Sequence, residues 1–361
     1  MQKSKQILMV LLLPSLIWGL SSACSLGGGE SSSDQTEGTA DTSEATTAEP
    51  VVEEQEPGEA QEATTVFAAA QIMDLSGLSL PTEIKAMRRS EVGHKSFELW
   101  DNVASVVGLY QPTFLKDGWQ NDADHEYTNE TTANRYFSRD GFVVSMSVSS
   151  LGESTLVTFI NHGNVDLRTL PQTTDAQPLY QFPNTLVYVS PSTVNDVADF
   201  TRQELAAQGW HEYTMPDTTT ANNADSQSLM FIQNGLELSA FISVAPDQGD
   251  KTAVQYNITL LPLDLPIYDE ALGLEFGQNP PHLGYNTATD IDTLTDFYLT
   301  EMSTLGWTEM PETASLTPER ADLFFVGQQF YANDSEELSV MLELALVDGQ
   351  TKVTLHQVDD D

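Results

Sequence analysis

Cysteine is nearly absent. The 361-residue chain has one, Cys24, so no intramolecular disulfide can staple the fold. Basic residues are scarce as well: 14 Lys and Arg face 54 Asp and Glu, for a formal net charge of −40. So acidic a chain repels phosphate backbones and anionic membrane surfaces, which excludes groove binding to nucleic acid. It attracts cations and basic partners, although the plainest use of a diffuse negative charge is solubility. There is no Gly-x-Ser-x-Gly nucleophile turn, and the run SLGGGE from Ser25 to Glu30 reads as linker rather than a phosphate-binding loop. The histidines, His94, His125, His162, His211, His282 and His356, never fall into a His-x-x-x-His or similar pair. No cofactor is implied and no catalytic or cofactor-binding residue stands out. Paired carboxylates for glycoside hydrolysis stay open, since any two acids could meet, but nothing in the sequence marks a pair.

Long apolar runs are missing too, apart from the N-terminus. There Lys3 and Lys5 precede ILMVLLLPSLIWGL, a run too short to span a bilayer comfortably, followed by Ser21-Ser22-Ala23-Cys24. Residues 1–23 read as a signal peptide. Ser22-Ala23-Cys24 resembles a bacterial lipobox, although Ser21 stands where an aliphatic residue is usual and Leu20 lies one position early. The resemblance implies an acylated Cys24 as the mature N-terminus and an exported, membrane-tethered protein. Three acyl chains at ~0.8 kcal/mol per buried methylene exceed the marginal single-chain regime. The alternatives are an ordinary secretory signal ending at Ala23 and an uncleaved anchor. Ser25 is non-acidic, the usual outer-membrane pattern in a Gram-negative lipoprotein.

From Ser25 to Thr65 the chain has no Lys, Arg or aromatic residue. Such a stretch buries too little apolar surface to offset its ordering entropy, so residues 24–65 are expected to be a disordered acidic leash. Random-coil scaling gives it a reach of roughly 35 Å, more with charge repulsion.

Beyond the leash a Gly-Trp pair recurs at Gly118-Trp119, Gly209-Trp210 and Gly306-Trp307, roughly every 90 to 100 residues, as an internal repeat does. The alignment around the pairs predicts a helix in each copy. Asp101, Ser192 and Thr289 are its expected N-caps. Its buried stripes are Val103/Val106/Leu109/Phe114, Val194/Val197/Phe200/Leu205 and Ile291/Leu294/Phe297/Met302. The glycine then occupies the left-handed position that ends a helix. Pro112 is expected to kink or split the first helix. SFELWD, TLVYVS and HLGYNT precede the helices as strands. Hairpin turns are expected at Asp140-Gly141, Asn234-Gly235 and Asn333-Asp334, each followed by an alternating strand. A second turn with Gly152, Gly249 or Gly349 leads to Thr155-x-Val157, Thr252-x-Val254 or Thr351-x-Val353. The entrances match as well, in MDLSGLSLP, VDLRTLP and LPLDLPIY.

The fold expected is α+β: three tandem two-layer modules, 66–163, 164–260 and 261–361, each an antiparallel sheet packed on one main helix. Phe200 to Leu205 before Gly209-Trp210, and Phe297-Tyr298 with Glu301-Met302 before Gly306-Trp307, carry a further likeness; the first copy keeps Leu109-Tyr110 and Gly118-Trp119. With the lipobox and acidic spacer, this pattern resembles uncharacterised surface lipoproteins of planctomycete-like bacteria. That resemblance implies a location and an architecture, and no activity.

One polar cluster invites a metal reading. In NDADHEYTNE, Asp122, Asp124 and Glu126 could offer oxygens to Ca²⁺, but the EF-hand ligand order and central glycine are missing; a solvated loop is the simpler reading. For the repeated tryptophans, core closure is favoured over ligand stacking, because the position recurs regardless of its polar neighbours. The functional expectation is a lipid-anchored envelope protein with a non-catalytic binding or structural role toward an envelope protein or polysaccharide. The competing expectation is an envelope hydrolase or ligand-capture protein that uses a cleft between modules.

Overall fold

The computed structural model describes residues 62–215, 222–278, 280–311, 314–328 and 337–358. All of these belong to one compact unit, Gln55–Asp361. A short helix, α1 (Val66–Ile72), opens it. The first sheet comprises β1 (Ala86–Ser90), β2 (His94–Leu99), β3 (Gln120–Asn121), β4 (Tyr127–Thr128), β5 (Thr132–Arg139), β6 (Phe142–Ser150) and β7 (Thr155–Asn161), with α2 (Val103–Lys116) after β2. The second comprises β8 (Gln177–Phe182), β9 (Thr185–Ser190), β10 (His211–Glu212), β11 (Ser226–Gln233), β12 (Leu236–Ala245) and β13 (Lys251–Leu260), with α3 (Val194–Ala207) after β9. The third comprises β14 (Leu272–Gln278), β15 (Pro281–Thr287), β16 (Thr308–Glu309), β17 (Ser315–Thr317), β18 (Arg320–Gln328), β19 (Glu337–Val347) and β20 (Gln350–Val358), with α4 (Ile291–Thr304) after β15.

One strand order serves all three sheets: β1-β2-β7-β6-β5-β3, β8-β9-β13-β12-β11-β10 and β14-β15-β20-β19-β18-β16. The chain is thus α+β, built on antiparallel sheets. In each copy the last strand returns to pair with the strand that precedes the helix. The alternating strands bury one face: Val144, Met146 and Val148; Leu236, Leu238, Ala240 and Ile242; Leu338, Val340, Leu342 and Leu344. Side chains of the long helices meet these faces. Phe114 stacks on Phe137 at 4.4 Å and on Phe159 at 5.8 Å, Thr201 lies 3.5 Å from the Tyr256 hydroxyl, and the Tyr298 and Tyr285 hydroxyls are 2.8 Å apart.

The helix ends are the same three times over. Gly118, Gly209 and Gly306 hold φ of 86°, 85° and 86°. The next amide, of Trp119, Trp210 or Trp307, donates back to the carbonyl of Phe114, Leu205 or Met302 at 3.1, 3.0 and 2.9 Å. The glycine amides donate to Leu115, Ala206 and Ser303. This double closure satisfies carbonyls that a helix end leaves orphaned, and it needs a residue free to adopt positive φ.

The helix starts correct the expectation by one residue. Asn102, Thr193 and Asp290 are the N-caps, accepting from the amides of Ser105, Asp196 and Thr293. Asp101, Ser192 and Thr289 instead present backbone carbonyls to the strand threonines: Thr155 donates to Asp101, Thr252 to Ser192 at 2.7 Å and Thr351 to Thr289 at 2.6 Å. That bond ties each helix start to its last strand, which explains why a threonine opens that strand in every copy.

The buried stripe shifts too. Tyr110, Thr201 and Tyr298 point inward, whereas Leu109 is exposed and Phe200 and Phe297 are half-buried. A seven-residue step keeps the stripe straighter along a helix than a six-residue step. Helix α2 runs unbroken through Pro112. The carbonyl that Pro112 leaves without a donor belongs to Gly108, and both residues are solvent-exposed, so water can satisfy it. The expected turn at Asn333-Asp334 lies outside the described residues.

The largest departure is at the start. The expected leash ran to residue 65, but Glu62–Thr65 is ordered and leads into α1. Side-chain amides recognise its backbone. Asn164 donates to the Glu62 carbonyl and accepts from the Thr64 amide, and Asn234 donates to the Ala63 carbonyl at 2.7 Å. Gly235 donates to Thr64 at 3.0 Å, and Asp264 accepts from the amides of Val66 and Phe67. Further on, Arg139 donates to the Ile72 carbonyl and Leu75 donates to Val92. This strap, 62–75, therefore touches all three copies, with Ala63, Val66, Ala69 and Leu75 buried.

Neighbouring copies also meet directly. Just past β10, Thr214 donates its amide to Leu274 and accepts from Phe276, both at 2.9 Å, which joins the second sheet to the third. Between first and second, the Phe182 ring lies 5.1 Å from His125 and 6.3 Å from Tyr136.

Candidate functional site

Where a site could lie is decided first by what the fold uses up. Trp119, Trp210 and Trp307 are 3%, 4% and 8% exposed. Trp119 stands edge-on to Phe114 at 5.8 Å under the Arg139 guanidinium, and the indole nitrogen of Trp307 donates to the Asp264 carbonyl. Rings held this way close a core and offer no face to a ligand. Trp210 borders a cleft of about 210 Å³ with Glu62, Val165, Thr169, Leu170, Gln208 and Gln233.

The acidic cluster is likewise occupied by its own loop. Asp122 accepts from the Asp124 amide at 3.1 Å and lies 2.7 Å from Nδ1 of His125. Glu126 accepts from Asn121 and from Gln111, with Arg135 at 3.8 Å. Asp124 points to solvent. These three acids do not converge, and no group of three His, Cys, Asp or Glu among the described residues could hold a metal as it stands. Cys24 lies outside the described residues.

Titratable groups do collect where the copies meet. His162 is fully buried; its Nδ1 lies 2.7 Å from the Ile258 carbonyl and its Nε2 2.8 Å from the Ser145 hydroxyl. It bridges the first and second sheets. Burial pushes its pKa down to about 4 despite the carbonyl, and burial with the nearby Arg89 does the same to His94. Asp264 is pushed up to about 6 by burial, opposed by the two α1 amides it accepts. Its counterparts Asp74 and Asp166 serve local turns, accepting from Ser76 and Arg168. In the third copy that same aspartate has become the anchor of the strap.

On the surface, one constellation has the makings of a contact site. Trp100, between β2 and α2, is 60% exposed, and Nζ of Lys85 lies 4.8 Å from the centre of its ring. Beneath it Glu98 is buried and receives Lys85 at 3.1 Å, Arg88 and the Ser154 hydroxyl at 3.3 Å. Hydrogen bonds from Arg88 and Lys85 hold the Glu98 carboxyl below the ordinary carboxylate range. One buried carboxylate thus gathers two cations beside an open indole, one of them over its ring. Trp100 is not evident from the sequence repeat, because it lies outside the Gly-Trp pairs. The signal was available: the aligned positions in the other copies are Pro191 and Ala288. A lone tryptophan outside the repeat pattern answers to no shared packing need.

Comparison with protein-family models, curated proteins and solved structures returned no match. Function therefore rests on the geometry. No helix among the described residues is long and apolar enough to cross a membrane.

Proposed function

We propose that the chain is a lipid-anchored cell-envelope protein with a non-catalytic binding or structural role, as expected of the surface lipoproteins it resembles. Acylated Cys24 and the acidic leash hold three two-layer modules away from the membrane, with the outer membrane as the site if the envelope has two. The observation that carries this reading is the strap: the leash enters a segment hydrogen-bonded to all three copies. Tension through the tether is thereby shared across the folded unit and not borne by one module. Trp100, with Lys85 and Arg88, is the point at which an envelope protein or polysaccharide would engage.

The competing reading, hydrolysis or ligand capture in a cleft between modules, is not helped by the cleft at Trp210, whose lining residues apart from Glu62 all belong to the second module. The cleft there has an apolar wall for capture, but Glu62 is the one carboxylate among its lining residues and no histidine joins it. Fractionation of cells that carry Cys24→Ala tests the anchor. Release from the membrane fraction is expected, and an unchanged membrane fraction would sink it.

A further inference from the structure

Gly284 leaves a bare spot on the outer face of the third sheet. Alternation along β15 turns Leu283 and Tyr285 inward, and His282 shares the outer face with Gly284. Glu275 on β14 lies opposite Gly284, and its Oε2 is 4.0 Å from Nε2 of His282. A methyl group placed on Gly284 would stand 3.3 Å from that same nitrogen and 3.9 Å from the carboxylate, so the imidazole leans over the glycine toward Glu275. On the other side, His356 of β20 is directly opposite His282, and Met341 of β19 is opposite His356. Four adjacent strands thus bring carboxylate, imidazole, imidazole and thioether into one neighbourhood.

The fold does not ask for this. The same two positions carry His94 and Ile160 in the first sheet, and Thr185 and Asn257 in the second. We propose that His282 and His356, with Glu275, bind one divalent transition-metal ion, Cu²⁺ more tightly than Zn²⁺. Directly opposed residues have Cβ atoms about 5 Å apart, a spacing that two imidazoles can bridge through one ion at ~2.0–2.1 Å per bond. Imidazole donors select copper and zinc over calcium and magnesium, and the order between the two follows the general affinity series. The side chains of His282 and Glu275 are 30% and 57% exposed, so both are free to turn, and the ion draws the ligands together. A net charge of −40 raises the local cation concentration around such a site.

The test is calorimetric titration of Cu²⁺, then Zn²⁺, into the untagged full chain, with electron paramagnetic resonance on the copper form. About one equivalent with nitrogen hyperfine structure is expected. His282→Ala and His356→Ala should each weaken it by at least the ~10-fold that loss of even a supporting group costs a metal site. Glu275→Gln should weaken it less, and His125→Ala not at all. Thermal melts without metal, with His282→Gln and His356→Gln as second variants, show that the fold is intact. No saturable copper binding, or binding indifferent to both histidines, overturns the proposal.

Discussion

Acid should loosen the joint between the first two sheets, and His162 sets how much. Its ring is fully buried between the Ile258 carbonyl and the Ser145 hydroxyl, and its pKa is pushed down to about 4 from an ordinary 6.5. As pH falls below 6.5 the unfolded chain takes up a proton that the folded chain refuses. Stability from this residue is therefore complete above pH 6.5 and is lost on the way down to pH 4. Linkage puts the loss at ~2 kcal/mol by pH 5. His94 acts in the same direction. Asp264 acts in the opposite one: with its folded pKa raised to about 6, folding gains ~1.4 kcal/mol from it by pH 5. The clean quantity is a double difference, in which these shared terms cancel. Urea unfolding of the native chain and of His162→Gln, followed by tryptophan fluorescence at pH 7.5 and pH 5, supplies it. The variant should start about 1–2 kcal/mol less stable, having imperfect replacements for two buried hydrogen bonds. It should then lose ~2 kcal/mol less than the native chain on acidification. Parallel losses in the two proteins would mean that His162 takes protons as readily folded as unfolded, and the burial argument would fail.

Two further outcomes are expected. Trp210→Ala removes a buried ring and should cost about 3–5 kcal/mol by urea unfolding, whereas Trp100→Ala, at an exposed position, should cost roughly 1 kcal/mol or less. Equal losses would contradict the division between core and surface tryptophans. Gly235→Ala places a carbon 2.4 Å from the Val66 nitrogen and 2.8 Å from the Asp264 carboxylate. The strap should be displaced at a cost of about 1–3 kcal/mol, with new chymotryptic cleavage at Phe67; an unchanged digest would show that the strap tolerates the methyl group.

What the sequence made legible is local. A glycine that ends a helix, an Asp-Gly turn and a strand of alternating Val and Met each announce themselves within a few residues, and three registered copies reinforce one another. The one-residue errors share a physical source. Asp101 and Asn102 are both competent caps, and so are Ser192 and Thr193; the choice falls to Thr155 and Thr252, which take the carbonyls of the first of each pair. Leu109 lost its place in the core to Tyr110 because stripe geometry outranks hydrophobicity. The strap was illegible for a different reason. TTVFAAAQI is too short to carry a periodic signal, and its order comes from Asn164, Asn234 and Asp264, far away in the chain. Trp100 stands in the sequence as a residue out of pattern, with Pro191 and Ala288 at its aligned positions.

The bridge at Thr214 has a counterpart in the third copy that differs in one respect. Asp122, Tyr213 and Met310 hold equivalent places, each donating its amide to the neighbouring strand. The residue after Tyr213 is Thr214, whose amide reaches the next sheet; the residue after Met310 is Pro311. Proline has no amide hydrogen to offer, so the third copy cannot make at that place the donor bond by which Thr214 reaches Leu274. The likeness of the three copies thus stops short of their edges, because the joint at Thr214 uses an amide that Pro311 lacks.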